Sequence, residues 1–288
     1  MCQNIRTFNC RNRFRDFFGM RMVLLFPVLV MVFAFRAGAV NDNHPAGGRS
    51  AGLAHASVML ADFWCFHHNQ GGLPYVRNLM VGFHHHSGFV REMAHQSLAL
   101  IVPTSSGSLA GSFSYYGFSH YHQTKAAVAY GLHLSGRLTA GIQLDYFHTR
   151  IAGIYGRQRL FTFEAGVQYR VNEKWQLGAH LFNPVRQKAG LYEEAAPCIL
   201  RLGAAWRFSE NLLFCLEAEK DLEQQVMPKM AIEYELVPLL FLRTGIALEP
   251  VLNSFGVGYC WQELQADLAF SFHPSLGQVS NFSLTYAF

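Results

Sequence analysis

The chain has 288 residues, with 23 Lys and Arg against 19 Asp and Glu and a formal net charge of +4. Six of those bases and one of those acids lie in residues 1–39, leaving 17 basic against 18 acidic side chains beyond them; with no basic excess to meet phosphates, nucleic acid is excluded as the main partner. The six cysteines (Cys2, Cys10, Cys65, Cys198, Cys215, Cys260) have no paired spacing, so neither a disulfide framework nor a zinc motif is read, and no cofactor is expected.

The first element in chain order is the apolar run Met22 to Phe35, about 14 residues, short of the roughly 20 that a spanning helix needs. Arg6, Arg11, Arg13, Arg15 and Arg21 precede it and Ala37-Gly38-Ala39 follows, the layout of a secretory signal over residues 1–39 with the mature chain starting near Val40. Met20 or Met22 would give the signal a more ordinary length.

Residues 40–75 form a separate segment without period-two alternation. Arg49 to Ala61 carries small and apolar residues at helical spacing, and His67 to Pro74 ends in a Gly/Pro turn, so a short helix and a turn are predicted. The stretch is too short for a domain of its own.

Residues 76–288 read as a succession of alternating runs. Leu138, Ala140, Ile142, Leu144 and Tyr146 oppose Thr139, Gly141, Gln143 and Asp145; Phe161, Phe163, Ala165, Val167 and Tyr169 oppose Thr162, Glu164, Gly166 and Gln168. About fourteen such runs follow one another. Their connections alternate between tight (135–137, 172–174, 209–211, 237–238, 262–263) and longer (150–158, 183–197, 220–228, 249–253, 273–278). Tight turns on one rim and longer loops on the other mark an outer-membrane barrel, with apolar residues out to lipid and polar ones inside. The fold expected is all-β: a transmembrane, up-and-down antiparallel barrel of about fourteen strands, with residues 40–75 as a short helical hatch in its lumen. By the same parity Ile142 and Leu144 face lipid, and Leu144→Arg is expected to cost more than Gln143→Arg. The last run, with Phe282, Leu284, Tyr286 and Phe288 alternating with Asn281, Ser283, Thr285 and Ala287, reads as the closing strand and as the export signal offered to the barrel-assembly machinery.

The candidate functional residues follow from the same parity. Arg49, Asp62, Asn69, Gly71 and Gly72 lie in the hatch, and Asp145, Glu164, Arg201, Arg207, Glu233 and Arg243 face the lumen, where a compensated charge network that fixes the hatch is favoured over a solute site. His84 and His86 share an inward face and could join His67 or His68 on a metal, against the plainer reading of a loop-edge cluster. The outward faces offer no Ser, His and Asn or Asp trio, so an enzyme is not expected. Outward Tyr146, Tyr169, Trp175, Trp206, Tyr234, Tyr259, Trp261 and Tyr286 are expected to form interfacial girdles.

Two stretches carry a resemblance. Gly48 to Asp62, ending in Ala61-Asp62 and followed by Asn69-Gln70-Gly71-Gly72-Leu73, resembles the N-terminal segment of the PorV/PorQ family of Bacteroidetes outer-membrane proteins, akin to FadL-type barrels. Gln70-Gly71 stand where that family has Pro-Ala, and Phe63-Trp64 replace its second acidic and small residues. Leu177 to Pro184 is similar to the family's mid-barrel strand and loop. The resemblance implies a FadL-like barrel with a luminal hatch, in the outer membrane, serving as an accessory or scaffold beside type IX secretion proteins. The alternative is a FadL-like transporter with a hydrophobic ligand.

Overall fold

The computed structural model describes residues 44–153, 156–186, 188–189, 194–275 and 277–288; the predicted signal, 1–39, and positions 40–43 of the predicted hatch lie outside them. The strands are β1 (Met80–His86), β2 (His95–Pro103), β3 (Gly107–Phe118), β4 (Tyr121–His133), β5 (Leu138–Ile151), β6 (Arg157–Arg170) and β7 (Trp175–Phe182). They continue with β8 (Lys188–Ala189), β9 (Glu194–Ala195), β10 (Ile199–Arg207), β11 (Leu212–Asp221), β12 (Val226–Val237), β13 (Leu240–Ala247), β14 (Leu252–Trp261), β15 (Leu264–His273) and β16 (Gly277–Ala287). All but β8 and β9 form one closed antiparallel barrel of fourteen strands, each bonded to its neighbours in sequence. β8 and β9 make a two-residue ribbon in the link between β7 and β10. Closure comes from β16 on β1, from Met80↔Ala287 to His86↔Asn281, so no strand edge is left unpaired.

Burial follows the period of two, but inverted relative to a water-soluble protein. On β5 the buried side chains are Thr139, Gln143, Asp145, Phe147 and Thr149, four of them polar, while Ile142 and Leu144 are 60% and 66% exposed. On β6, Glu164 and Gln168 are fully buried and Phe161 is 68% exposed. Polar groups inside and bare aliphatic and aromatic groups outside is the distribution that lipid stabilises. Leu144→Arg is expected to destabilise the barrel by about 2–4 kcal/mol if Leu144 lies at the bilayer midplane, read from urea unfolding in lipid vesicles.

Links 104–106, 134–137, 171–174, 208–211, 238–239 and 262–263 lie on the rim where β1 begins and β16 ends. On the opposite rim are 87–94, 119–120, 152–156, 183–198, 222–225, 248–251 and 274–276. The predicted phase is present, yet most of the difference between the rims comes from 183–198, and 119–120 is as tight as any turn. The described ends of that link are tied to each other and to the wall: the Asn183 amide donates to the carbonyls of Ala196 and Pro197 (2.9 and 3.2 Å), and Phe147, Leu160, Phe182, Ala196 and Ile199 pack into one apolar cluster. Of the predicted girdle aromatics, all but Tyr146 fall close to the links of the terminus-bearing rim, where Trp175 and Trp206 stack at 5.6 Å.

Candidate functional site

The lumen is filled by residues 44–76. The predicted helix over Arg49–Ala61 is only one turn, α1 (Gly48–Gly52). Ala54 and His55 then take left-handed φ values of 50° and 59° and turn the chain. Helical spacing loses because the wall supplies better partners: the backbone N–H groups of Ser57 and Val58 both donate to the Glu217 carboxylate at 2.8 Å. Two 3₁₀ turns follow, Cys65–His67 and Gln70–Tyr75, the second capped by Asn69, whose Oδ1 accepts from Gly71 N at 2.9 Å.

Three polar clusters fasten this hatch to the wall. In the first, Arg49 grips Glu233 through two bonds of 2.8 and 2.6 Å and reaches Asp62 at 3.3 Å. Glu233 also accepts from Arg243 at 2.6 Å, and Arg243 donates to Asp267 at 2.6 Å, which carries the network over β12, β13 and β15. Burial opposes a charge on Arg49, but Glu233 and Asp62 hold its guanidinium protonated, with a pKa raised above the ordinary value. The second cluster centres on Glu217: Lys229 bridges it to Glu219 (3.2 and 2.7 Å), and Arg201 donates to Glu219 at 2.8 Å. In the third, Glu164 accepts from Gln70 (2.7 Å), Lys125 (2.9 Å), His180 (2.9 Å) and Gln143 (3.1 Å), while Lys125 also pairs with Asp145 at 3.2 Å. Buried charges survive only when paired in this way.

Between the polar clusters the contact is apolar and close. Phe63, Trp64, Phe66 and Leu73 pack on Ala99, Ile101, Ala110 and Ala129, and Leu53, Val58 and Met59 pack on Ala205, Cys215 and Ala231. Glycines at lumen-facing positions let the hatch backbone approach the wall. Gly141 and Gly166 are register partners on β5 and β6; a Cβ on Gly141 would stand 2.4 Å from the Gln70 carbonyl oxygen, and one on Gly166 2.0 Å from Asn69 Oδ1. Gly141→Ala is therefore expected to unseat the hatch at a cost of about 1–3 kcal/mol, seen as faster proteolysis within 66–75. Gly136→Ala, where a Cβ meets nothing within 4 Å, should leave the digestion unchanged.

Of the residues singled out in the sequence, Arg49, Asp62, Asn69, Asp145, Glu164, Arg201, Glu233 and Arg243 lie in these contacts, and Gly71 rests on the β6 backbone, where a Cβ would be 2.9 Å from Gln168 N. Gly72 serves the inside of the hatch, packing on Cys65. Arg207 differs: it has the inward parity but sits exposed at the end of β10, outside the three clusters. Gln143 also differs from expectation. It is buried and donates to both Asp145 (2.9 Å) and Glu164, so arginine there is no mild comparison for Leu144→Arg. Sequence reasoning missed Lys125, His180, Gln70, Gln168 and the glycines. Among the described residues no group of three or more His, Cys, Asp or Glu is arranged to hold a metal ion. His84 instead packs with Trp64 (5.7 Å) and His95 (5.9 Å).

No model of a known protein family matches the chain, and no curated protein matches it. Solved structures do. The toluene transporter TbuX of Ralstonia pickettii superposes with a TM-score of 0.63 at 11% identity, over 84% of this chain and 98% of that one. The CymD monoaromatic hydrocarbon channel gives 0.61 at 11% identity, over 84% and 97%. A FadL homologue of Pseudomonas aeruginosa gives 0.59 at 12% identity, over 90% and 100%. At such identities the likeness is one of fold, and the fold of this chain is that of the FadL-type barrels.

Proposed function

We propose that this chain is an outer-membrane transporter of hydrophobic small molecules whose lumen is gated by the hatch 44–76. The observation that carries the reading is the way the lumen is closed. The obstruction is a separate stretch of chain, held by side-chain contacts that can be broken without opening the wall. The likeness to barrels named as toluene and hydrocarbon transporters supports the same direction. No catalytic role is assigned. On this reading Phe282, Tyr286 and Phe288, exposed on or just beyond β16, face lipid and present the strand to the assembly machinery. The test is uptake of labelled toluene and of a labelled long-chain fatty acid by cells expressing the protein, beside Gly141→Ala, which unseats the hatch. Uptake by the wild type that Gly141→Ala raises is the expected result. No uptake of either, with the barrel recovered from the outer membrane as a heat-modifiable band, overturns it.

A second reading, an accessory barrel of PorV/PorQ type beside type IX secretion proteins, draws on a specific observation. The inner side of the barrel is packed with charged clusters and hatch side chains, and an apolar cavity of about 490 Å³ opens on the outer surface. Crosslinking in intact outer membranes, with recovery of secretion proteins in place of small-molecule uptake, would favour it.

A further inference from the structure

That outer cavity is a groove in the lipid-facing wall over β10–β14, bordered by Phe214, Met230, Ile232, Ile246 and Phe255. Its size falls within the roughly 300–1,000 Å³ of small-molecule sites. It exists because the wall is thin there, with a short side chain outside and a glycine against the hatch inside. On the register row Trp206–Phe214–Ile232–Thr244–Phe255, Thr244 is the one short side chain. Next to it Gly245 lies so close to the hatch that a Cβ would stand 2.5 Å from the Leu53 carbonyl carbon. Cys215 and Ala231, which also line the groove, pack on Leu53, Val58 and Met59 from the inner side. The floor of the groove is thus the back of the strip that the hatch grips.

We propose that this groove holds one acyl chain of a membrane phospholipid as a resident ligand. The inference rests on the membrane placement of the barrel and is independent of transport. Three features select the occupant. The groove opens in the bare apolar band, where Leu216 and Phe255 are each 54% exposed, so what fills it comes from the bilayer. One end lies at Trp206, stacked on Trp175 near the terminus-bearing rim, the level at which aromatic side chains meet headgroups and a chain enters the hydrocarbon. Its lining holds no Lys or Arg, and the Thr244 hydroxyl is turned to the Ser254 carbonyl at 3.2 Å. The lining's other polar side chain, Asn253, is a neutral amide, so a free fatty acid would bring a carboxylate with no cation to pair it, whereas a glycerophospholipid keeps its headgroup at the interface.

The test is native mass spectrometry of the full chain after prolonged detergent exchange. The wild type should retain one phospholipid per barrel. Thr244→Trp, which fills the groove, should lower that occupancy about tenfold. Leu144→Trp, on the lipid face of β5 and away from the groove, should leave it unchanged. Heat-modifiability on gels verifies that each variant is folded. Spin-labelled phospholipid added to the wild type, needing no substitution, should report one slowly exchanging lipid per barrel. A wild type that keeps no lipid and shows no slow component, a folded Thr244→Trp that keeps as much as the wild type, or a retained free fatty acid overturns the proposal. A chain that is not heat-modifiable at all would overturn the membrane placement instead.

Discussion

Deleting residues 44–72 is expected to turn a silent barrel into a conducting one in planar bilayers. The barrel does not need the hatch for its backbone: every barrel strand is bonded to two neighbours and β16 closes on β1, so the wall keeps its hydrogen bonds when the segment is gone. What the deletion removes is the filling. A fourteen-stranded barrel is wide enough that its centre must be filled or left open. Inward Gly141, Gly166, Ala129, Ala205 and Ala231 are too small to fill it from the wall. The charged groups left behind, among them Glu217, Glu233, Arg243 and Lys229, keep partners in the wall and gain water, so the empty lumen is a hydrated pore. At the described ends of link 183–198, the Asn183 amide bonds the Ala196 carbonyl and Ala196 packs on Phe147, Leu160, Phe182 and Ile199 of the wall. Well-defined conductance steps from the deleted form, absent from the full chain, are the expected record. Equal silence from both would show that 44–72 is not the plug.

The strands and their facing could be read from the sequence because a barrel wall is periodic. Alternation alone puts Asp145, Glu164 and Glu233 inside and Leu144 and Phe161 outside. What parity cannot supply is height. Arg207 and Arg201 share a face, yet one ends at the solvent-exposed rim and the other beside Glu219. Nor does it supply partners from elsewhere in the chain. The glycines at 141 and 166 look like weak points in strands until the Asn69–Gln70 backbone is known to lie against them. In the same way Arg49–Ala61 has the spacing of a helix, and only the Glu217 carboxylate, some 160 residues away, explains why it stops after one turn. Lys125, between Thr124 and Ala126 in an otherwise uncharged run, has inward parity, the signal by which it could have been singled out. Its two carboxylates on β5 and β6 were not readable without the register.

Acidification from pH 7 to pH 5 is expected to loosen the hatch, because it holds four histidines that stay neutral below pH 6.5 only while docked. Burial pushes His68 down to about 3 and His44 to about 4, and holds His55 and His67 well below the ordinary 6.5. Wall cations act in the same direction: Lys229 and Arg201 face His55 and His68, and Lys125 faces His67, with Glu164 opposing it there. Above pH 6.5 neither the docked nor the released hatch binds these protons, and docking has its full strength. Below it the released hatch takes up protons that the docked one refuses, and each histidine removes about 1.4 kcal/mol per pH unit until its docked value is reached. Four histidines one unit below 6.5 thus remove roughly 5 kcal/mol, comparable to a buried ion pair such as Arg49–Glu233. Channel openings, or cleavage of the hatch by a protease active in acid, should rise steeply between pH 6.5 and 5. Replacing His67 by Phe and His68 by Asn removes two of the four titrating groups and should halve the pH slope. A full chain that stays closed and uncut down to pH 4 would overturn acid release of the hatch.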